Sequence, residues 1–176
     1  MLGTNFFALQ LLHEILFVLA FVFLFLSYRL FSQSTSLGLF ICTLAALANV
    51  FVSNEIIDII VRTHTTLATT IATAFIYCFC RIVKDDSLKN YFLFGLAGAL
   101  GILAKYNFVL LILLLFIAAA LYKPYRKYLF NQKIYISLII VLVLVAPNLY
   151  WLYRSREILL MNFHHKIYES AMLRVT

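Results

Sequence analysis

This chain of 176 residues is 65% hydrophobic and only 12% charged, about half the charge of a typical soluble domain, and its mean hydropathy is +1.00. That balance excludes an ordinary soluble enzyme and implies an integral membrane protein whose outer solvent is lipid. The net charge of +7 does not imply a nucleic-acid partner, because the basic residues sit in connections between apolar runs, as topology signals and contacts to anionic headgroups.

The first apolar run predicts a span over Phe6–Tyr28, closed by Arg29. It has no basic segment before it and no small-residue cleavage site after it, so it reads as a retained span and not a signal peptide. Gln10 and Glu14 share one face of it at i, i+4, and His13 lies alongside. An ionisable residue inside a span is a functional candidate; a protonated Glu14 bonded to Gln10 or to a neighbouring helix is an equal reading.

A second span follows over Leu37–Val52, with small residues (Ala45, Ala46, Ala48) suited to close helix contact. The polar connection from Ser53 to His64 carries Glu55, Asp58, Arg62 and His64. If helical, it places Glu55, Asp58 and Arg62 on one side. Two readings stand: an amphipathic interfacial helix, or a carboxylate–histidine group acting as a general base, with Glu55, Asp58 and His64 as candidates. The spacing matches no metal motif and assigns no metal ligands. The cofactor is left open, a divalent ion included.

A third span is predicted over Thr65–Ile82, then a basic loop, Arg81–Asn90. Cys42, Cys78 and Cys80 fall inside spans, and Cys78 and Cys80 do not share a helical face. They read as small buried hydrophobes, not as a disulfide or metal site.

The run Tyr91–Tyr122 is anomalous in length. As one helix it would measure ~48 Å at 1.5 Å per residue, against a hydrocarbon core of ~30 Å. Lys105-Tyr106-Asn107 is its only polar break, so two short spans are predicted, Tyr91–Ala104 and Phe108–Tyr122. A basic loop (Lys123, Arg126, Lys127, Lys133) leads to a last span, Ile134–Trp151, which Pro147 is expected to bend or stop. A polar, aromatic tail occupies 152–176, and its His164 and His165 read as solvated.

Charge bias supports the break. With it, Arg29, Arg81, Lys84, Lys89, Lys123, Arg126, Lys127 and Lys133 share one side, and up to the last span the other holds only Arg62 and Lys105. The expected topology has the N-terminus outside and the basic loops cytoplasmic. The Asn54–His64 connection, the Lys105 turn and the tail then converge on the outer face. Lys105 itself has two readings: a hairpin-tip lysine at headgroup level, or a point charge presented to an anionic phosphate, with Tyr106 at the same depth.

The segment Gly95–Phe108, G-L-A-G-A-L-G-I-L-A-K-Y-N-F, resembles the "GLxLGLGxLSKYN/T" stretch of bacterial membrane glycosyltransferases. These are the GT-C superfamily enzymes of glycosyltransferase family 39, the protein-O-mannosyltransferase and lipid A aminoarabinose-transferase type. Arg62-Thr63-His64-Thr65, Lys123-Pro124-Tyr125-Arg126 and Ala146-Pro147-Asn148-Leu149-Tyr150-Trp151-Leu152 are similar to further family elements in order and spacing, so the resemblance covers about Gly3 to Lys166. It implies sugar transfer from a polyprenyl-phosphate donor to a lipid, glycan or protein hydroxyl at the periplasmic face. It also implies a donor-phosphate site containing Lys105, Tyr106 and Arg62, with His64 near the entrance of the third span. The family's Asp-Glu pair, which precedes a span matching this chain's first, is not found, and the later spans are also missing. The resemblance is therefore to an internal piece of such an enzyme.

The expectation is thus an all-α polytopic bundle of about six spans, one GT-C-like partial membrane domain over residues 1–176, in a cell inner membrane. Its partners would be membrane lipid, a polyprenyl-linked sugar and a complementary segment of a split enzyme, with no nucleic acid. The alternative is a catalytically inactive membrane protein, a degenerate paralogue or an interaction subunit. A small transporter ranks lower, since no internal repeat is visible.

Overall fold

The computed structural model describes residues 3–32, 36–43 and 59–155. They form α1 (Gly3–Arg29), a helical segment α2 described over 36–43, α3 (Ile59–Lys84), α4 (Leu88–Ala104), α5 (Phe108–Leu121), α6 (Lys123–Leu129) and α7 (Ile134–Arg154). No strand occurs among the described residues, and the protein is an all-α membrane helical domain. Phe7–Arg29, Thr63–Lys84 and Ile134–Arg154 are long and apolar enough to cross a bilayer, and α4 and α5 are shorter apolar helices.

Direct contacts fix the direction of each helix. Thr66 Oγ1 lies 3.2 Å from His13 Nδ1, Thr70 Oγ1 donates to Leu16 O at 2.8 Å, and Lys84 Nζ donates to Leu30 O at 2.8 Å. The numbers rise together, so α1 and α3 run parallel. The α2 segment runs back along α1, with Gly38 against Tyr28 and Phe25 and Cys42 Sγ 3.9 Å from Phe21 O. α4 is antiparallel to α3: Phe79 meets Phe94 at 6.0 Å, while Phe75, a turn earlier in α3, stacks on Phe94 at 4.3 Å and also faces Gly98, a turn later in α4. α5 returns along α4, bringing Phe116 within 6.5 Å of Phe94. α7 is parallel to α4, because Ser137 Oγ donates to Tyr91 O at 2.6 Å and Tyr106 OH to Asn148 Oδ1 at 2.9 Å.

The bundle is therefore a row, α1–α3–α4–α7, with α5 and α6 laid over α3 and α4. Its buried core is aromatic and small together: Phe75, Phe79, Tyr91, Phe94, Ala97 and Phe108. Around it, large apolar side chains face outward, as on α5 (Leu110, Leu114, Ile117) and α7 (Ile139, Leu142, Val143). In water such a surface would aggregate; in lipid it is the expected exterior.

Glycine sets the closest helix approach. A Cβ built on Gly95 would stand 2.6 Å from Ser137 Cα and 2.7 Å from Ser137 O, so α4 and α7 touch backbone to backbone there. A Cβ on Gly101 would collide with the Phe108 ring, which folds back across the α4–α5 turn.

The structure decides between readings at α3 and at Pro147, and corrects the loop after α5. α3 is described as helix from Ile59, ahead of the span expected from Thr65, which agrees with the helical reading of the end of the polar connection. Its threonines do not break it, because Thr69 and Thr70 return their hydroxyls to the carbonyls of Thr65 and Thr66. The loop after α5 is mostly helix α6, started by Pro124 in its first turn. Of the two outcomes expected at Pro147, a stop is excluded, because α7 passes through it to Arg154; a proline costs one N–H bond, which membrane helices tolerate.

Candidate functional site

The helix directions sort the charged residues into two ends. The ends of α1 and α3, the 85–87 turn and α6 share one end, which carries Arg29, Arg81, Lys84, Lys89, Lys123, Arg126, Lys127 and Lys133. At the opposite end lie the start of α1, the start of α3 with His64, the Lys105–Asn107 turn and the end of α7.

The lysine turn is built by backbone bonds. Lys105 closes α4 in an extended conformation, its N–H donating to Gly101 O at 3.0 Å. Phe108 N–H then donates to Lys105 O at 2.9 Å, Val109 N–H to Tyr106 O at 3.1 Å and Leu110 N–H to Asn107 O at 3.0 Å, which starts α5 at once. Asn107 takes a right-handed helical conformation and makes no side-chain cap. The three turn side chains, Lys105, Tyr106 and Asn107, are exposed.

The turn is tied down from α7. Tyr106, 53% exposed, donates its phenol to Asn148, across a separation of 42 positions. Asn148 follows Pro147, and the exposed rings of Tyr150, Trp151 and Tyr153 continue that end of α7 as an aromatic belt. Sequence reasoning did not assign Asn148 to the site. The available signal was an amide inside an otherwise apolar span.

The other candidates divide as follows. Glu55 and Asp58 lie outside the described residues. Arg62 belongs to the first turn of α3, and its side chain is likewise outside the description. His64 is exposed near the start of α3, at the same end as Lys105 but on the neighbouring helix. Gln10 Nε2 donates to Glu14 Oε1 at 3.0 Å on an exposed face of α1, and His13 turns instead toward α3, near Thr66. Among the described residues no three of His, Cys, Asp and Glu gather as a metal site.

An apolar cleft of about 320 Å³ runs between α5 and α7 with α4 as its floor. Phe94, Gly98, Phe116, Leu138 and Val141 line its middle. Ile102 and Val109, three and four positions from Lys105 in the chain, also line it.

The family described as dolichyl-phosphate-mannose-protein mannosyltransferase matches residues 1–151. The chain belongs to this family. Its membrane helices are thus those of a GT-C superfamily glycosyltransferase family. Among curated proteins, the lipopolysaccharide core galacturonosyltransferase RgtB of Rhizobium johnstonii is 36% identical over 90 residues, covering 51% of this chain and 18% of the relative. The lipopolysaccharide core galacturonosyltransferase RgtA of the same organism is 31% identical over 90 residues, with the same two shares, 51% and 18%. The matched stretch is thus less than a fifth of either relative. No solved structure matches significantly.

Proposed function

We propose that this chain forms the donor-lipid part of a membrane glycosyltransferase. A sugar would move from a polyprenyl-phosphate carrier to a hydroxyl of a lipid, glycan or protein acceptor at the outer face. Family membership supports the reaction class. The observation that carries the residue assignment is the Lys105–Tyr106 turn, exposed at the end opposite the basic loops and braced by Asn148.

In this reading the chain is one membrane domain, with the basic end in the cytoplasm by the positive-inside rule. The Lys105 ammonium meets the carrier phosphate as a point charge. Arg62 approaches the same phosphate from the start of α3, and the prenyl chain enters the cleft between α5 and α7. Glu55, Asp58 and His64 are the candidates for accepting the acceptor's proton, from the segment that leads into α3. Lipopolysaccharide core saccharide and galacturonic acid are the first acceptor and sugar to assay, because those are what the relatives' names state.

The test is transfer of radiolabelled sugar from a polyprenyl-phosphate donor in membranes containing the chain, with and without the longer relatives' remaining segment supplied on a second chain. Lys105→Ala should lower transfer at least ~10-fold, the loss expected for one charge-assisted contact of ~1.5–3 kcal/mol. Unchanged transfer would remove Lys105 from the site. No transfer under either condition favours the inactive membrane-protein reading.

A further inference from the structure

The basic end holds a feature that sugar transfer does not use. α6 is a bar of a single short helix, Lys123–Leu129, lying across the ends of α3 and α5. Its inner edge is tyrosine. The Tyr125 ring meets Phe79 edge-on at 6.1 Å, Tyr128 OH donates to Val83 O at 2.9 Å, and Tyr91 OH donates to Tyr128 O at 3.3 Å. Its other face presents Lys123, Arg126 and Lys127, all exposed. Arg126 lies 5.5 Å over the Phe130 ring and Lys127 4.8 Å over the Tyr128 ring.

The acids of this end are already engaged. Asp86 forms an ion pair with Lys133 at 3.2 Å and accepts from Asn131 Nδ2 at 3.0 Å, and Asp85 accepts from Asn90 Nδ2 at 3.3 Å. Among the described residues no carboxylate pairs with Lys123, Arg126 or Lys127. The helix is flanked by bulky exposed apolar groups, Leu121 at 80% and Phe130 at 73% exposure, with Tyr122 beside them. Apolar flanks with cations between them describe a helix lying at the level of lipid headgroups.

We infer that α6 is a binding site for anionic glycerophospholipid headgroups, with Lys123, Arg126 and Lys127 contacting phosphates while Leu121 and Phe130 enter the acyl region. The tyrosine edge holds α6 in place before lipid arrives, so the backbone that carries the three cations is preformed. It is independent of the donor site at the other end.

The full chain reconstituted in vesicles of phosphatidylcholine and phosphatidylglycerol (3:1) provides the test, by electron spin resonance of spin-labelled phosphatidylglycerol and phosphatidylcholine. The motionally restricted fraction reports lipid held at the protein surface. The native chain should prefer phosphatidylglycerol, by up to roughly 5-fold for each basic residue engaged. K123Q/R126Q/K127Q should bring the preference close to one. Should the triple variant lose its helical circular dichroism, R126Q alone, still folded, should lose a measurable share. Equal association of the two lipids with the native chain overturns the inference, as does a preference that survives in folded K123Q/R126Q/K127Q or in folded R126Q at full strength. Displacement of the labelled lipid by millimolar inorganic phosphate overturns it too, because the site would then recognise free phosphate and not a lipid.

Discussion

Tyr106 and Asn148 decide how firmly the lysine turn is held. Theirs is a neutral hydrogen bond at an exposed position, and interhelical polar contacts in membrane proteins average about 0.6 kcal/mol. Tyr106→Phe should therefore cost little stability, within ~1 °C of Tm per few tenths of a kcal/mol. Its effect should appear in donor affinity, since an unbraced turn spends less time presenting Lys105. Asn148→Ala should reproduce that effect, and the double variant should add nothing further if the two residues act as one contact. Isothermal titration with polyprenyl phosphate measures all three; strictly additive losses would show that Tyr106 and Asn148 act separately. The pairing was not readable beforehand. Lys105 stands out as a charge in an apolar run, whereas Asn148 gains meaning only once α7 is seen to run parallel to α4.

At the level of elements, the α4–α7 contact combines a steric and a polar term, and magnitude separates them. A methyl on Gly95 would meet Ser137 backbone at 2.6 Å, and backbone cannot yield as a side-chain tip does. Gly95→Ala should cost about 1–3 kcal/mol as an overpacking change. Ser137→Ala only removes a bond to Tyr91 O of 2.6 Å and should cost about 0.6 kcal/mol, at most ~1.7. Unfolding in mixed micelles ranks the two variants; a larger loss for Ser137→Ala would mean that the hydrogen bond, and not close approach, holds α4 to α7. The interruption of the long apolar run was readable from length alone, because no single helix fits its residues into a bilayer. The start of α3 was not, because threonine and histidine look polar in sequence although the threonine hydroxyls are satisfied along the helix. α6 was hidden for a related reason: its lysines and arginine read as a loop, and the tyrosines that pin it have partners on α3 and α4.

Across the whole molecule, helix direction turns a charge pattern into sidedness. α1 parallel to α3, and α4 parallel to α7, put Arg29, Arg81, Lys84, Lys89, Lys123, Arg126, Lys127 and Lys133 at one end and the Lys105 turn at the other. Single cysteines at Lys89, Lys127 or Lys105, with Cys42, Cys78 and Cys80 replaced by serine, should report this with a membrane-impermeant maleimide. Lys89→Cys and Lys127→Cys should label from the same side of sealed vesicles and Lys105→Cys from the opposite side. Labelling of Lys105→Cys from the Lys127 side would contradict the bundle. Which end faces the cytoplasm is a proposal from charge bias, and the same vesicles of known orientation decide it.

The central claim is that Lys105 binds a lipid-linked phosphate. Binding of polyprenyl phosphate and of the uncharged polyprenol to the purified chain, native and Lys105→Ala, isolates that single charge. The account predicts that the native chain prefers the phosphate and that Lys105→Ala loses on the order of 10–100-fold of its affinity for it, with polyprenol binding unchanged. Equal affinity of native and variant chains for polyprenyl phosphate would contradict the account.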